Sequence, residues 1–109
     1  MTKVKLSAAA KADLQEIRRY ISLVLSNPGA SKQTMKRITS HLHTLEQFPE
    51  AGTPILLPGS PVAYRYLVCG SYMAFYHVYN EEVMVDRILY GRRDYLPCLF
   101  GEELTEESE

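Results

Sequence analysis

Three short β-type segments follow one another between Val62 and Tyr90, with only two residues between each neighbouring pair. The segments are VAYRYLVC, YMAFYHVY and EVMVDRILY, and the linking pairs are Gly70-Ser71 and Asn80-Glu81. Residues of these types favour tight turns, and such short connections join antiparallel strands. The sequence therefore predicts a three-stranded antiparallel unit, which needs a second layer of structure to cover one of its faces.

The first half of the chain supplies that second layer as two amphipathic helices. Ser7 is a candidate N-cap after a short strand at Val4–Leu6, and apolar residues then recur at helical spacing. The expected buried stripes are Leu14, Ile17, Ile21 and Val24 in the first helix, and Met35, Ile38, Leu42, Leu45 and Phe48 in the second. Asn27-Pro28-Gly29 is expected to end the first helix, and Pro49 and Gly52 the second.

These elements together predict an α+β fold in the order β-α-α-β-β-β. An antiparallel helical hairpin packs on one face of a small, mostly antiparallel sheet. The proline-rich stretch from Thr53 to Pro61 is expected to be a loop that leads the chain into the sheet. Alternation along the first sheet strand puts Tyr64 and Tyr66 on the face opposite Arg65 and Leu67.

Length and charge indicate one domain with an acidic tail. The chain has 109 residues, and we expect residues 1–100 to form the domain and residues 101–109 a disordered tail. Five of the thirteen acidic residues lie in the tail, so residues 1–100 carry twelve Lys/Arg against eight Asp/Glu. Without an apolar run of the roughly 20 residues that a membrane helix needs, the expected location is the cytoplasm, with Cys69 and Cys98 as reduced thiols.

Basic and phenolic side chains accumulate where the sheet region ends. This cluster contains Arg87, Tyr90, Arg92, Arg93 and Tyr95. Guanidinium groups offer a fixed fork of donors that suits phosphate, and tyrosine rings offer stacking surfaces. The cluster indicates an anionic partner, and a nucleic acid is one candidate.

The order of these pieces resembles the RelE/ParE superfamily of toxins from type II toxin–antitoxin systems. The matching segments are AKADLQEIRRYI, LEQFPEAGTP, AYRYLV, SYMAFYHV and VDRILYGRRDYLPCLF, which extend over most of residues 4–100. The resemblance implies a small toxin that a cognate antitoxin holds inactive, with no cofactor and no metal. RelE-like members cut mRNA on the ribosome, whereas ParE-like members share the fold but inhibit DNA gyrase. A ribosome-dependent, metal-free mRNA endonuclease is the favoured expectation, and gyrase inhibition without bond chemistry is the alternative.

For the nuclease, the resemblance implies cations around the phosphate and a group that transfers protons. Arg65, Arg92 and Arg93 are the candidate catalytic cations, and His77 or Tyr95 the candidate proton-transfer group. Arg87 and Tyr90 are candidate nucleic-acid-binding residues. The sequence departs from the RelE pattern at two positions, because Leu67 and Met73 stand where that pattern has basic side chains.

Each candidate also has a purely structural interpretation. Arg65 is suited to an ion pair with an acid on a neighbouring strand, and Arg87 to a half-buried position with its head in water. Arg92 and Arg93 form a solvated pair near Asp94 in the same interpretation, and His77 packs among aromatic rings. The two other histidines, at positions 41 and 43, lie on different sides of a helix, so they do not form a metal pair.

Overall fold

The computed structural model describes residues 2–55, 59 and 63–91 of the chain. The elements are β1 (Lys3–Leu6), α1 (Ala8–Arg19), a π-helical turn (Tyr20–Val24), α2 (Pro28–Thr44), β2 (Thr53–Ile55), β3 (Tyr64–Cys69), β4 (Tyr72–Tyr79) and β5 (Glu82–Tyr90). The sheet order is β1-β5-β4-β3-β2. β1 runs parallel to β5, and every other pairing is antiparallel.

This is the α+β architecture that the sequence predicts, with one short strand more. Thr53–Ile55 lies in the expected loop but pairs with Tyr64–Tyr66 as β2. Proline at position 54 is tolerated because β2 is an edge strand, where an N–H group is not required for a further pairing. Among the described helices, none is long and apolar enough to cross a membrane.

Each of the two tight connections contains at least one residue in the left-handed region of φ. Gly70 adopts φ +67°, and Asn80 and Glu81 adopt φ +52° and +61°. Positive φ at both residues of the Asn80-Glu81 turn, and at the first residue alone of the Gly70-Ser71 turn, matches the kinds of two-residue turn that suit the right-handed twist of a hairpin. Two adjacent turns of this kind fix the register of β3, β4 and β5, so alternate side chains reach a defined face of the sheet.

The helices cover one face of the sheet and form the core with it. Ser7 caps α1 through its hydroxyl oxygen, which accepts a hydrogen bond from the Ala10 N–H at 3.0 Å. Deeply buried apolar side chains come from both layers and include Ile38, Leu45, Tyr76, Val83, Val85 and Ile88. The expected stripes are confirmed at Ile17, Ile21, Ile38, Leu42 and Leu45.

Two expected core residues are instead exposed. Val24 is 64% exposed because the helix widens from Tyr20 to Val24, where the Leu25 N–H reaches back five residues to the Tyr20 carbonyl. That extra residue per turn rotates Val24 away from the buried stripe. Phe48 is 60% exposed because α2 ends at Thr44, before the helical period reaches it.

The segment Asn27-Pro28-Gly29 begins the second helix, and the first helical run ends just before it, at Val24, as expected. Asn27 is the N-cap of α2, and its side-chain oxygen accepts a hydrogen bond from the Ala30 N–H at 3.1 Å. Pro28 occupies the first helical position, where the missing N–H costs nothing and the fixed φ suits a helix. The second helix also ends earlier than Pro49 and Gly52, at Thr44.

Candidate functional site

Arg65 binds backbone carbonyl groups in the segment that follows α2. Its Nη1 donates to the Gly52 carbonyl at 2.8 Å and to the Glu50 carbonyl at 3.2 Å. Arg65 lies opposite Tyr76 in the β3–β4 register, and the Tyr76 hydroxyl donates to the Pro49 carbonyl at 2.9 Å. The structural interpretation expected Arg65 to pair with an acid on a neighbouring strand. Its hydrogen-bond partners are instead peptide carbonyl groups. Arg65 and Tyr76 therefore hold residues 49–52 against the sheet.

His77 forms a hydrogen-bonded pair with Asp86 on the face of the sheet away from the helices. The distance from His77 Nδ1 to Asp86 Oδ2 is 2.8 Å, and each side chain is 22% exposed. The Tyr64 ring packs edge-on against the imidazole, with ring centroids 5.5 Å apart. Burial raises the pKa of Asp86, and its contacts with His77 oppose that rise. Because Asp86 contacts Nδ1, the pair fixes the ring orientation and directs Nε2 away from the carboxylate.

A β-bulge in β5 places Asp86 at this position. Phe75 pairs with Arg87 but Tyr76 pairs with Val85, so Asp86 is the extra residue on its strand. A bulge redirects side chains, because one strand has two residues opposite a single partner. As a result, Asp86 reaches His77 while the next residue, Arg87, reaches a helix. Sequence reasoning missed Asp86, because alternation alone gives no sign of a bulge.

Arg65 and His77 project from opposite faces of the sheet. Arg65 shares the helix-covered face with Tyr76, which is part of the core. His77 follows Tyr76 directly in β4, so its side chain points to the other face. The structure does not bring this candidate cation and this candidate base together.

Arg87 forms a forked ion pair with Asp13 of α1. Its Nε donates to Asp13 Oδ2 at 2.7 Å, and its Nη2 donates to Asp13 Oδ1 at 2.9 Å. The Ile88 N–H also donates to Asp13 Oδ2, at 2.9 Å. The side chains of Asp13 and Arg87 are 10% and 27% exposed. The guanidinium thus joins β5 to α1, whereas the sequence suggested a solvated head or a nucleic-acid contact.

Tyr90 lines a surface groove between α1 and the end of β5. Tyr72 packs edge-on against Tyr90 at a ring-centroid distance of 5.5 Å, and both rings line the groove. Burial raises the pKa of the Tyr72 hydroxyl, and the neighbouring Tyr90 and Tyr20 add to that rise. The groove is open to solvent, has a volume of about 1790 Å³ and continues along the π-helical turn. The sequence did not predict this groove, because its walls depend on the π-helical turn and on how far β5 extends.

The remaining candidates are residues outside the described ranges and the histidines considered as metal ligands. Arg92, Arg93 and Tyr95 lie outside the described residues, as do Cys98 and the acidic tail, so their expected roles remain predictions. Within the described part of the chain, no three His, Cys, Asp or Glu side chains are grouped as a metal site. His41 Nδ1 lies 2.8 Å from the Arg37 carbonyl oxygen of its own helix. His43 Nδ1 lies 3.3 Å from Glu46 Oε2.

A family model described as the ParE toxin of the type II toxin–antitoxin system parDE matches residues 4–95. This match extends from β1 beyond the end of β5. The chain belongs to the ParE toxin family. Membership implies a cognate antitoxin as partner, and it confirms the resemblance to RelE/ParE toxins that the sequence segments carry. No curated protein matches this ParE-family chain.

Two solved structures share the fold of this ParE-family toxin. One is from the chromosomal ParDE toxin–antitoxin system of P. aeruginosa, with 26% identity and a TM-score of 0.68; the match covers 84% of this chain and 98% of that chain. The other is from the archaeal RelE–RelB complex of Pyrococcus horikoshii OT3, with 21% identity and a TM-score of 0.59; it covers 85% of this chain and 99% of that chain. The second likeness concerns the fold alone.

Proposed function

We propose that this ParE-family chain is the toxin of a type II pair that inhibits DNA gyrase by binding it, without cutting RNA. The observation that carries the proposal is the separation of Arg65 from His77 on opposite faces of the sheet. Metal-free RNA cleavage needs a base and phosphate-binding cations around one phosphate. A binding inhibitor needs only a complementary surface and no such assembly.

The contacts of the described arginines support the same proposal. Arg65 donates hydrogen bonds to the carbonyl groups of residues 50 and 52, and Arg87 donates hydrogen bonds to the Asp13 carboxylate. Releasing Arg65 toward a phosphate breaks its contacts with the segment after α2, and releasing Arg87 breaks the link between β5 and α1. Leu67 and Met73 are apolar where the RelE pattern is basic, so they add no cation.

One observation favours mRNA cleavage as a second candidate. His77 has the carboxylate partner that general-base histidines commonly have, at 2.8 Å. In this candidate, His77 accepts the 2′-hydroxyl proton with Asp86 as its positioning residue. Arg92 and Arg93 hold the phosphate, Tyr95 assists proton transfer, and Arg87 and Tyr90 contact the nucleic acid. Arg65 serves only through its hold on residues 49–52.

Parallel pulse labelling after induced expression without antitoxin separates the two functions. We expect thymidine incorporation to fall before amino-acid incorporation, and purified chain to inhibit supercoiling by purified DNA gyrase. His77→Gln and Asp86→Asn should retain toxicity, since neither residue performs chemistry in a binding inhibitor. An early fall in amino-acid incorporation, abolished by His77→Gln, would instead establish the nuclease.

A further inference from the structure

The face of α2 that is turned away from the core is basic. Between Glu16 and Glu46 the sequence has five Lys/Arg and no acidic residue. Within α2, Ser31, Ile38 and Leu42 are buried, so the opposite side of the helix faces solvent. The exposed side chains on that side include Lys32, Gln33, Lys36, Arg37, Ser40 and His43. We call this set the outward face of α2; it presents three permanent positive charges on a regular element of the fold.

The three cations of the outward face have no acidic partner in the described part of the chain. None of the salt bridges between described residues involves Lys32, Lys36 or Arg37. Glu46, the first acid beyond the helix, lies against His43 at 3.3 Å. A group of cations without counter-charges creates a positive potential that attracts a polyanion.

Two contacts determine where these cations lie. A Cβ at Gly70 would be 3.1 Å from Arg37 Cδ, so the glycine in the β3–β4 turn leaves the space that the Arg37 side chain occupies. The Ser31 hydroxyl donates to the Arg18 carbonyl at 3.1 Å, which brings the end of α1 beside the start of α2. Arg18 and Arg19 are exposed there and add two cations at the same end of the hairpin. The basic surface is therefore built on packed helices, which need little ordering when a ligand binds.

The composition of the outward face favours a nucleic-acid backbone over a protein. None of its six side chains is hydrophobic, whereas protein interfaces have an apolar centre. Protein–DNA interfaces are polar and positively charged, and Lys, Arg, Gln and Ser side chains supply many of their phosphate contacts. The helix rises about 16 Å between residues 32 and 43. Duplex DNA carries one charge per roughly 1.7 Å of its axis, so several phosphates lie within reach at once.

We propose that the outward face of α2 binds the phosphate backbone of duplex DNA through Lys32, Lys36 and Arg37. The choice of duplex DNA over other polyanions rests on the proposed inhibition of gyrase, because gyrase acts on duplex DNA. In this role α2 holds the toxin on the DNA that the enzyme handles. Binding is independent of base sequence, since phosphate contacts carry no sequence information.

The test measures DNA binding by the purified full-length chain in the absence of gyrase. Fluorescence anisotropy follows a labelled duplex of about 20 base pairs and mixed sequence, between about 50 and 200 mM salt. The test variant is Lys32→Gln/Lys36→Gln. The matched control is Lys3→Gln/Lys5→Gln, which removes the same charge from β1. Alternate residues of β1 pack on the core, so its two lysines project from the face away from the helices.

The salt dependence of binding counts the phosphate contacts. We expect the native chain to bind with a Kd of about 1–100 μM, the range of non-specific DNA binding. At about 100 mM salt, the α2 variant should bind at least fivefold more weakly and the control less than twofold more weakly. Each lost contact lowers the slope of log affinity against log salt by about 0.9, so the α2 variant should lose about 1.8 and Arg37→Gln about 0.9. Equal losses in the α2 variant and the control would reduce the effect to net charge and overturn the site.

Two other partners have their own signatures. Tighter binding of a single-stranded RNA of the same length, weakened by Lys32→Gln/Lys36→Gln, would assign the outward face to RNA and overturn the proposal. The antitoxin, identified as the neighbouring gene product that restores growth, is titrated against the same variants. Weaker antitoxin binding by the α2 variant, with DNA binding unchanged, would assign the face to an acidic protein instead.

Failure of the DNA site is distinct from failure of the proposed function. Supercoiling by purified gyrase is measured in parallel, and we expect the α2 variant to need at least fivefold more toxin for half-inhibition. If the native chain and the α2 variant bind DNA equally and inhibit gyrase equally, only the DNA site is wrong. If the native chain binds DNA through α2 but leaves supercoiling unchanged, the DNA site stands and the gyrase proposal fails. Thermal unfolding of each variant confirms that these exposed substitutions leave the fold intact.

Discussion

Asp13 of α1 accepts hydrogen bonds from the Nε and Nη2 atoms of Arg87 in β5 and from the Ile88 N–H. One carboxylate therefore satisfies an arginine fork and an edge amide of the sheet, and it joins the two layers across a sequence separation of more than 70 residues. Because the Asp13 side chain is only 10% exposed, its negative charge depends on these donors for stabilisation.

Asp13→Asn should therefore destabilise the fold. The amide keeps one acceptor oxygen but cannot serve three donors, and it removes the negative charge that faces the Arg87 guanidinium. We expect a loss of about 2–4 kcal/mol in the free energy of unfolding, measured by urea denaturation. Glu16→Gln removes the same charge from an exposed position of the same helix, and it should change stability by less than about 0.5 kcal/mol. Equal effects of the two substitutions would contradict the role assigned to the pair.

The sequence predicted the fold well because its signals are local. Ser7 as a cap, the Asn80-Glu81 turn and the apolar spacing around Ile17 and Ile38 each act over a few residues. Periodicity failed at Val24 because it assumes 3.6 residues per turn, and the widened turn breaks that assumption.

The candidate site was less predictable because its geometry depends on contacts between distant segments. Arg65 was a reasonable candidate cation by residue type. Its actual partners are backbone carbonyls of residues 50 and 52, which side-chain chemistry cannot reveal. The partnership of His77 with Asp86 requires a bulge, and the groove requires the end of β5 to extend past β1. A single sequence contains no signal for either feature.

Gly52 and Gly29 should respond in opposite ways to alanine. A Cβ at Gly52 would lie 2.6 Å from the Tyr76 hydroxyl and 2.7 Å from the Tyr66 carbonyl oxygen, whereas the nearest atom at Gly29 is 3.8 Å away. Gly52→Ala must displace the backbone or break the Tyr76 contacts, so we expect a loss of about 1–3 kcal/mol. Gly29→Ala should raise stability by about 0.4–1 kcal/mol, since alanine lowers the entropy of the unfolded chain. Thermal unfolding of the two variants in parallel checks the sign of each change.

Tyr76→Phe tests the support of residues 49–52 without changing the size of the core. The hydroxyl donates to the Pro49 carbonyl and accepts from the Gly52 N–H at 2.8 Å, and the residue is fully buried. Removing it leaves two backbone groups without that partner, so we expect a loss of about 1–3 kcal/mol. Tyr79→Phe is the matched control on the same strand, because Tyr79 is highly exposed and should tolerate the loss of its hydroxyl. A neutral Tyr76→Phe would show that the hydroxyl contacts do not stabilise this segment.

Cys69 should be unreactive in the native protein and reactive once the chain unfolds. Burial raises the pKa of its thiol from 9.0 to about 11, and the thiolate is the nucleophilic form. Because the folded-state pKa is the higher one, the folded chain keeps its proton as the pH rises from 9 toward 11 while the unfolded chain loses it. Ionisation then favours unfolding, so stability should fall across that range. In a Cys98→Ser variant, which isolates Cys69, alkylation by iodoacetamide at pH 8.5 should be at least 100-fold slower than in urea. Rapid alkylation of Cys69 in the native protein would mean that the end of β3 opens readily. In a separate test, Cys69→Ala should reduce the fall in the free energy of unfolding between pH 9 and 11, because the substitution removes the ionising thiol.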